Sequence, residues 1–148
     1  MVALIELIVR AVIATGDRIL VARKPGAAHT FLPGGHVEPG EPAAAAVLRE
    51  LREELGMTGR VERFLGAVEH GWRTADGAAH ELNLLFLVTA PGLGLATPPV
   101  PREPHLQFFW HPLDRLNDAR LEPWILRTVL PGWLASDGPG WASTLAVQ

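Results

Sequence analysis

The segment LRELREELGM, Leu48 to Met57, carries three carboxylates, Glu50, Glu53 and Glu54, at spacings of three and four residues. On a helix those spacings put them on one side, where like charges repel by roughly a few tenths of a kcal/mol per pair. A divalent cation would remove that repulsion. Glu50 and Glu54 lie one turn apart and can both point at an ion, with Glu53 beside them. Donors that are all oxygen suit Mg²⁺ or Mn²⁺. Upstream, Gly35 has no side chain, so the backbone there can approach closely and offer its carbonyl to the same ion.

Such a cluster needs a helix with a buried face and a loop to carry Gly35. The run AAAAVLRELREEL has strong helix propensity. Glu41-Pro42 suits a first turn, and Gly56 suits a C-terminal stop. At 100° per residue, Ala44, Val47, Leu48, Leu51 and Leu55 form an apolar arc bordered by Glu50 and Glu54. The preceding Pro25 to Gly35 segment, PGAAHTFLPGG, reads as loop.

Strand-forming runs frame this unit. Leu4 to Ala14 and the GDRILVARK stretch predict a hairpin turning at Gly16-Asp17. Arg60 to Arg73 and Ala79 to Thr89 predict two strands joined across Asp76-Gly77. Residues 90 to 104 form a Pro/Gly-rich loop, His105 to Trp110 a short strand, and Leu121 to Leu130 a second helix. The tail from Pro131 has no firm assignment. Strands with a few inserted helices give an α/β class of α+β type: one domain over residues 1–148, a mixed β-sheet sandwiched by helices.

Composition excludes several functions. At 148 residues with 48% hydrophobic residues, the chain can bury a core. A net charge of -3 lacks the basic excess of a nucleic-acid binder, so no stable nucleic-acid binding is expected. The absence of cysteine rules out disulfides, thiolate chemistry and Cys-ligated zinc. The N-terminal MVALIELIVRAVIA is interrupted by Glu6 and Arg10 and is too short to span a bilayer. No membrane association and a cytoplasmic location are the resulting expectations.

From Gly35 to Met57 the sequence resembles the Nudix box, G-x5-E-x7-R-E-U-x-E-E-x-G-U, where U is a bulky aliphatic residue. Gly35, Glu41, Arg49, Glu50, Leu51, Glu53, Glu54, Gly56 and Met57 fill every specified position. The Leu32-Pro33-Gly34-Gly35 lead-in and the order of strands also look like this family. The resemblance implies a MutT-like hydrolase that cleaves a nucleoside diphosphate linked to another moiety. It implies Mg²⁺ (or Mn²⁺) held by Gly35, Glu50 and Glu54, with Glu53 adjacent, and Arg49 as structural support paired with Glu41.

A carboxylate must also deprotonate the attacking water. Glu53 is the first candidate. In parts of the family the base lies in a loop before a late strand, which makes Glu103, in PREPHLQFFW, the alternative. Glu81 is either an auxiliary ligand or a surface residue, and Glu38 and His36 border the loop. Arg10, Arg23, Lys24 and Arg73 are candidate phosphate partners; Phe31 and Trp72 are candidates for stacking on a base.

The subfamily marks do not match. An SQPWPFPxS-like string and the coenzyme A mark are absent, Trp72 stands where ADP-ribose pyrophosphatases often have proline, and there is no tyrosine. A nucleoside triphosphate is favoured, with ADP-ribose or a nucleotide sugar as the alternative. A non-catalytic nucleotide-sensing module is the contrasting class, but such a module would be expected to have lost box carboxylates. Isopentenyl diphosphate isomerases of this family are longer and use a cysteine. A homodimer is expected from the resemblance and from the apolar segment around Trp133 and Trp141.

Overall fold

The computed structural model describes residues 4–97 and 99–145. The first three residues of the N-terminal apolar stretch, Pro98 and the last three residues of the tail lie outside them. Among the described residues ten strands form two sheets, accompanied by two α-helices and a short 3-10 turn. The chain runs β1 (Glu6–Val12), β2 (Ala14–Thr15), β3 (Arg18–Arg23), β4 (Thr30–Phe31) and β5 (Gly34–His36). It continues through α1 (Ala43–Leu55), β6 (Arg60–Thr74), β7 (Gly77–Thr89), β8 (Gln107–Pro112), β9 (Leu121–Glu122), α2 (Leu126–Ala135) and β10 (Gly140–Ser143).

The larger sheet has the order β10-β6-β7-β1-β5. It is mixed: β1 pairs parallel with β7 and antiparallel with β5, while β10 joins β6 in parallel. The smaller sheet runs β2-β3-β4-β9, with β8 also on β3. The expected N-terminal hairpin is therefore split. Ala14 and Thr15 pair back onto β3, at Ile19 and Arg18, and the Ile13 carbonyl accepts from the Leu20 N–H, while the main run crosses into the larger sheet. Central strands buried on both faces read as nearly continuous apolar runs, which hides which sheet each joins.

Alternation along β1 and β7 divides the core. Val9, Ala11, Phe86 and Val88 face α1, with its Ala46, Val47, Leu51 and Leu55. Val12 and Leu85 face the opposite side, with Leu126 and Leu130 of α2. Burying each of these large aliphatic side chains stabilises the fold by roughly 1.5–3 kcal/mol. The α1 stripe is rotated from the expected arc: Ala46 is buried and Ala44 exposed. Pro42 stands just outside the helix as its N-cap, and Gly56 closes it at φ 67 with its N–H on the Arg52 carbonyl at 2.8 Å.

Other boundaries moved. The β6–β7 turn is Ala75-Asp76, one residue earlier than expected, with Thr74 opposite Gly77. The expected helix at Leu121 begins as β9, and α2 starts at Leu126 and continues through Pro131. Strand β8 starts two residues later than expected, at Gln107. The tail forms β10. It seats on β6 where two glycines face each other, Gly66 and Gly140, and a Cβ on Gly140 would strike the Trp133 ring. Trp133 therefore packs internally, whereas Trp141 is 63% exposed. No helix among the described residues is long and apolar enough to cross a membrane.

Gly34 fixes how closely β5 lies on β1. Its φ is +152° and a Cβ there would strike the Val9 carbonyl oxygen. Gly34→Ala should lower unfolding stability by roughly 3 kcal/mol or more. Gly16→Ala, at φ +57° with open space around it, should lose roughly 1–2 kcal/mol. Equal losses in urea unfolding would mean that the Val9 clash relaxes freely.

Candidate active site

Helix α1 presents its carboxylates in two environments. On the outer side Arg49 gathers the loop. Its Nε and Nη2 donate to the two oxygens of Glu41 at 2.7 and 3.0 Å, a bidentate pair. Nη2 also donates to the His36 carbonyl at 3.0 Å, and Nη1 to Glu50 at 3.1 Å and Glu53 at 3.3 Å. The hydrogen bond from Arg49 pulls the Glu41 carboxyl down to about 2, and the same pairing pushes Arg49 up. Glu53 is half-exposed.

Glu54 points inward. It is 4% exposed, and among the described residues its Oε2 has no hydrogen-bond partner. Burial, then the nearby Glu50, pushes its carboxyl up to about 8, against the opposing pull of Arg10 and the Gly34 amide. Burial also raises Glu50, with Arg49 pulling it back. Gly35 faces Glu50: a Cβ there would stand 2.5–2.8 Å from its carboxylate.

These features fit a hard cation. An orphaned buried carboxylate oxygen, a second carboxylate beside it and a bare backbone opposite form an all-oxygen set. No three His, Asp or Glu side chains among the described residues are arranged to hold an ion alone.

Glu103 borders the same cluster, and its charge contributes to raising both Glu50 and Glu54. Its loop is pinned to the end of α1, where the Arg102 N–H donates to the Glu54 carbonyl at 2.7 Å. Its carboxylate lies 3.0 Å from His105 Nε2.

A cavity of about 690 Å³ is lined by Arg10, Lys24, Phe31, His70, Trp72, Glu81 and Glu122 among others, and by none of the α1 carboxylates. Four of the six candidate phosphate and base contacts, Arg10, Lys24, Phe31 and Trp72, line it, and Arg73 is not among its lining residues. Arg23 does not line it either: its guanidinium lies over the Phe109 ring at 5.1 Å, on the β3–β8 pair. Lys24, the expected partner just past the end of β3, lines the cavity. Arg10 is partly buried, donating to the Leu32 carbonyl at 2.9 Å and to Asn83 at 3.4 Å. It senses Glu81, Glu54 and Glu50, and so links the cavity to the carboxylate pair.

Glu81 is buried rather than a surface residue, and sequence reasoning also missed His70 and Glu122 as cavity residues. The first two had a signal. His70 and Trp72 are two apart on β6, and Glu81 is the cross-strand partner of His70, so one face of the hairpin carries all three.

Residues 6–131 match the family description NUDIX domain. An ADP-ribose pyrophosphatase of Methanocaldococcus jannaschii is 38% identical over 61 residues, 41% of this chain and 35% of that protein. An isopentenyl-diphosphate Delta-isomerase of Cereibacter sphaeroides is 36% identical over 100 residues, 62% of this chain and 55% of that protein. The matched segments thus span from about a third to a little over half of these relatives. The solved MutT NUDIX hydrolase of Burkholderia pseudomallei is 33% identical, with a TM-score of 0.58 over 74% of this chain and 84% of that one.

The raised Glu54 carboxyl sets a pH dependence in the metal-free protein. Its pKa is about 8 folded against an ordinary 4.5, so folding takes up a proton between those values. The stability it contributes is fully present below pH 4.5 and is lost as pH rises through 8. Urea unfolding should weaken by roughly a few kcal/mol between about pH 5 and about pH 8.5. Glu54→Gln should flatten that slope; an equally steep profile in the variant would assign it to another group. The match over most of the chain and the filled box agree: the chain belongs to the Nudix family.

Proposed function

We propose that this protein is a metal-dependent pyrophosphohydrolase acting on a nucleoside diphosphate linked to another moiety, with a nucleoside triphosphate as the favoured substrate. The observation that carries this is the unpartnered Glu54 oxygen beside Glu50 and Gly35, joined through Arg10 to a cavity of nucleoside size. Glu50, Glu54 and the Gly35 carbonyl would hold Mg²⁺ or Mn²⁺. When bound, such an ion screens phosphate charge and lowers the pKa of a coordinated water.

The chain's own residues do the rest. Phe31 and Trp72 supply flat apolar faces for a base, and Lys24 at the cavity edge supplies positive charge for phosphate. Arg49 ties the loop to the helix through Glu41 and the His36 carbonyl, one residue from Gly35. A carboxylate takes the proton of the attacking water. Glu53 and Glu103 both border the pair, the first restrained by Arg49 and the second by His105.

An ADP-ribose or nucleotide-sugar substrate is the second reading, favoured by the name of the archaeal relative. The isomerase-named relatives point to the chemistry shared by all these readings, a metal-bound diphosphate.

A panel of NTPs, dNTPs, ADP-ribose, nucleotide sugars, NADH, dinucleoside polyphosphates and isopentenyl diphosphate, with and without Mg²⁺ or Mn²⁺, tests the proposal by product chromatography. Metal-dependent cleavage of one nucleotide class is expected. Silence from folded, metal-binding protein would turn the reading toward a sensor.

Glu54→Gln should abolish most metal affinity and turnover while leaving α1 folded; normal hydrolysis by that variant would remove the metal assignment. At saturating metal, Glu53→Gln or Glu103→Gln should lower kcat by something like 10²–10⁴-fold, identifying the base. If neither does, another group activates the water.

A further inference from the structure

The mechanism above leaves Glu81 without a task. It is 8% exposed, yet it lines the cavity. Its Oε1 accepts the Asn83 Nδ2–H at 3.0 Å. Asn83 in turn accepts from Arg10, whose guanidinium is also committed to the Leu32 carbonyl. The arginine thus holds the carboxylate through the amide rather than by direct pairing. Among the described residues no donor reaches the second oxygen of Glu81. That oxygen is not a buried orphan but keeps free acceptor capacity on a cavity-lining residue, and a ligand N–H placed against it gains a charge-assisted hydrogen bond.

The surroundings say what kind of ligand brings that N–H. His70 stacks on Trp72 with ring centroids 5.1 Å apart and planes at 30°, and Phe31 lines the same cavity. Aromatic faces beside a buried acceptor suit a flat heterocycle whose edge carries donors. We infer that Glu81 reads the edge of the bound base, accepting from an exocyclic amino group, and so selects cytosine over uracil and guanine over hypoxanthine. Uracil sets a carbonyl oxygen on each side of its ring N–H, and both repel the carboxylate. Hypoxanthine keeps the ring N–H of guanine but lacks the amino donor beside it. This inference rests on the nucleotide reading above.

The test compares CTP with UTP and GTP with ITP on the full-length protein with Mg²⁺, and CTP with dCTP to separate base from ribose. Within the pair turned over faster, the amino-bearing member should lead in kcat/KM by about tenfold or more, expressed in KM. Metal-free binding followed by tryptophan fluorescence should give the same order. Glu81→Gln, whose amide can both donate and accept, should bring the ratio to about threefold or less. Its fold is checked by circular dichroism, and if it fails to fold the wild-type ratios decide alone.

Equal rates within both pairs, or an unchanged ratio in folded Glu81→Gln, would overturn the inference while leaving the hydrolase standing. Loss of discrimination between bases together with loss of binding for dCTP would move Glu81 to the ribose and also overturn it. If the wild type neither binds nor cleaves any nucleotide, it is the hydrolase reading that fails.

Discussion

A carboxylate buried as deeply as Glu54 must be answered by positive charge, by a proton, or by a metal. Much of the surrounding structure follows from that constraint. Helix α1 carries Glu54 on the face that also buries Leu51 and Leu55, so the charge enters the protein as a condition of packing the helix. Arg10 comes from β1 on the other side, but its hydrogen bonds go to Leu32 and Asn83, and it answers Glu54 only at a distance. One Glu54 oxygen stays open. The pairing of β1 with β5 and β7 places the arginine, so strand register here serves electrostatics as well as the core.

The same helix solves the opposite problem a turn earlier. Arg49 meets Glu41 in a bidentate pair that holds the carboxyl far below its usual range, a permanently charged tie between loop and helix. One arginine thus fixes geometry while a neighbouring carboxylate is left short of a partner. Two environments separated by a few residues push like groups in opposite directions, a pattern that belongs to sites where charge is meant to change.

The box was readable because its chemistry is local. A helix, its glycine stop and its carboxylates lie within one stretch, and i, i+4 spacing alone puts Glu50 and Glu54 together. What failed was what depends on distant pairing. Arg23 and Lys24 are adjacent, and which of them meets the cavity is decided by β3 lying between β4 and β8. The β6–β7 turn was read one residue late, which keeps each side chain on its face but gives it the wrong neighbour; the match of His70 with Glu81 was lost that way. The second helix was expected to end at Leu130, yet α2 continues through Pro131. The tail offered no period of its own, because β10 is defined by two glycines and a tryptophan that meet only in three dimensions.

That last strand has a consequence for how firmly the cavity is built. Four residues on the sheet edge hold it, yet Thr144 just beyond it lies 2.8 Å from His70 Nδ1 and accepts the Gly71 N–H at 3.1 Å. Ser143 donates to Glu69 at 2.8 Å. An edge segment joined across 74 residues of chain is the kind of unit that opens locally, at less free energy than the whole domain. Each opening would release the wall that carries His70 while leaving α1 and its carboxylates in place. Occupancy of the cavity then scales with the fraction of molecules in which the strand is closed, so the far end of the chain sets a ceiling on affinity without touching the ligand.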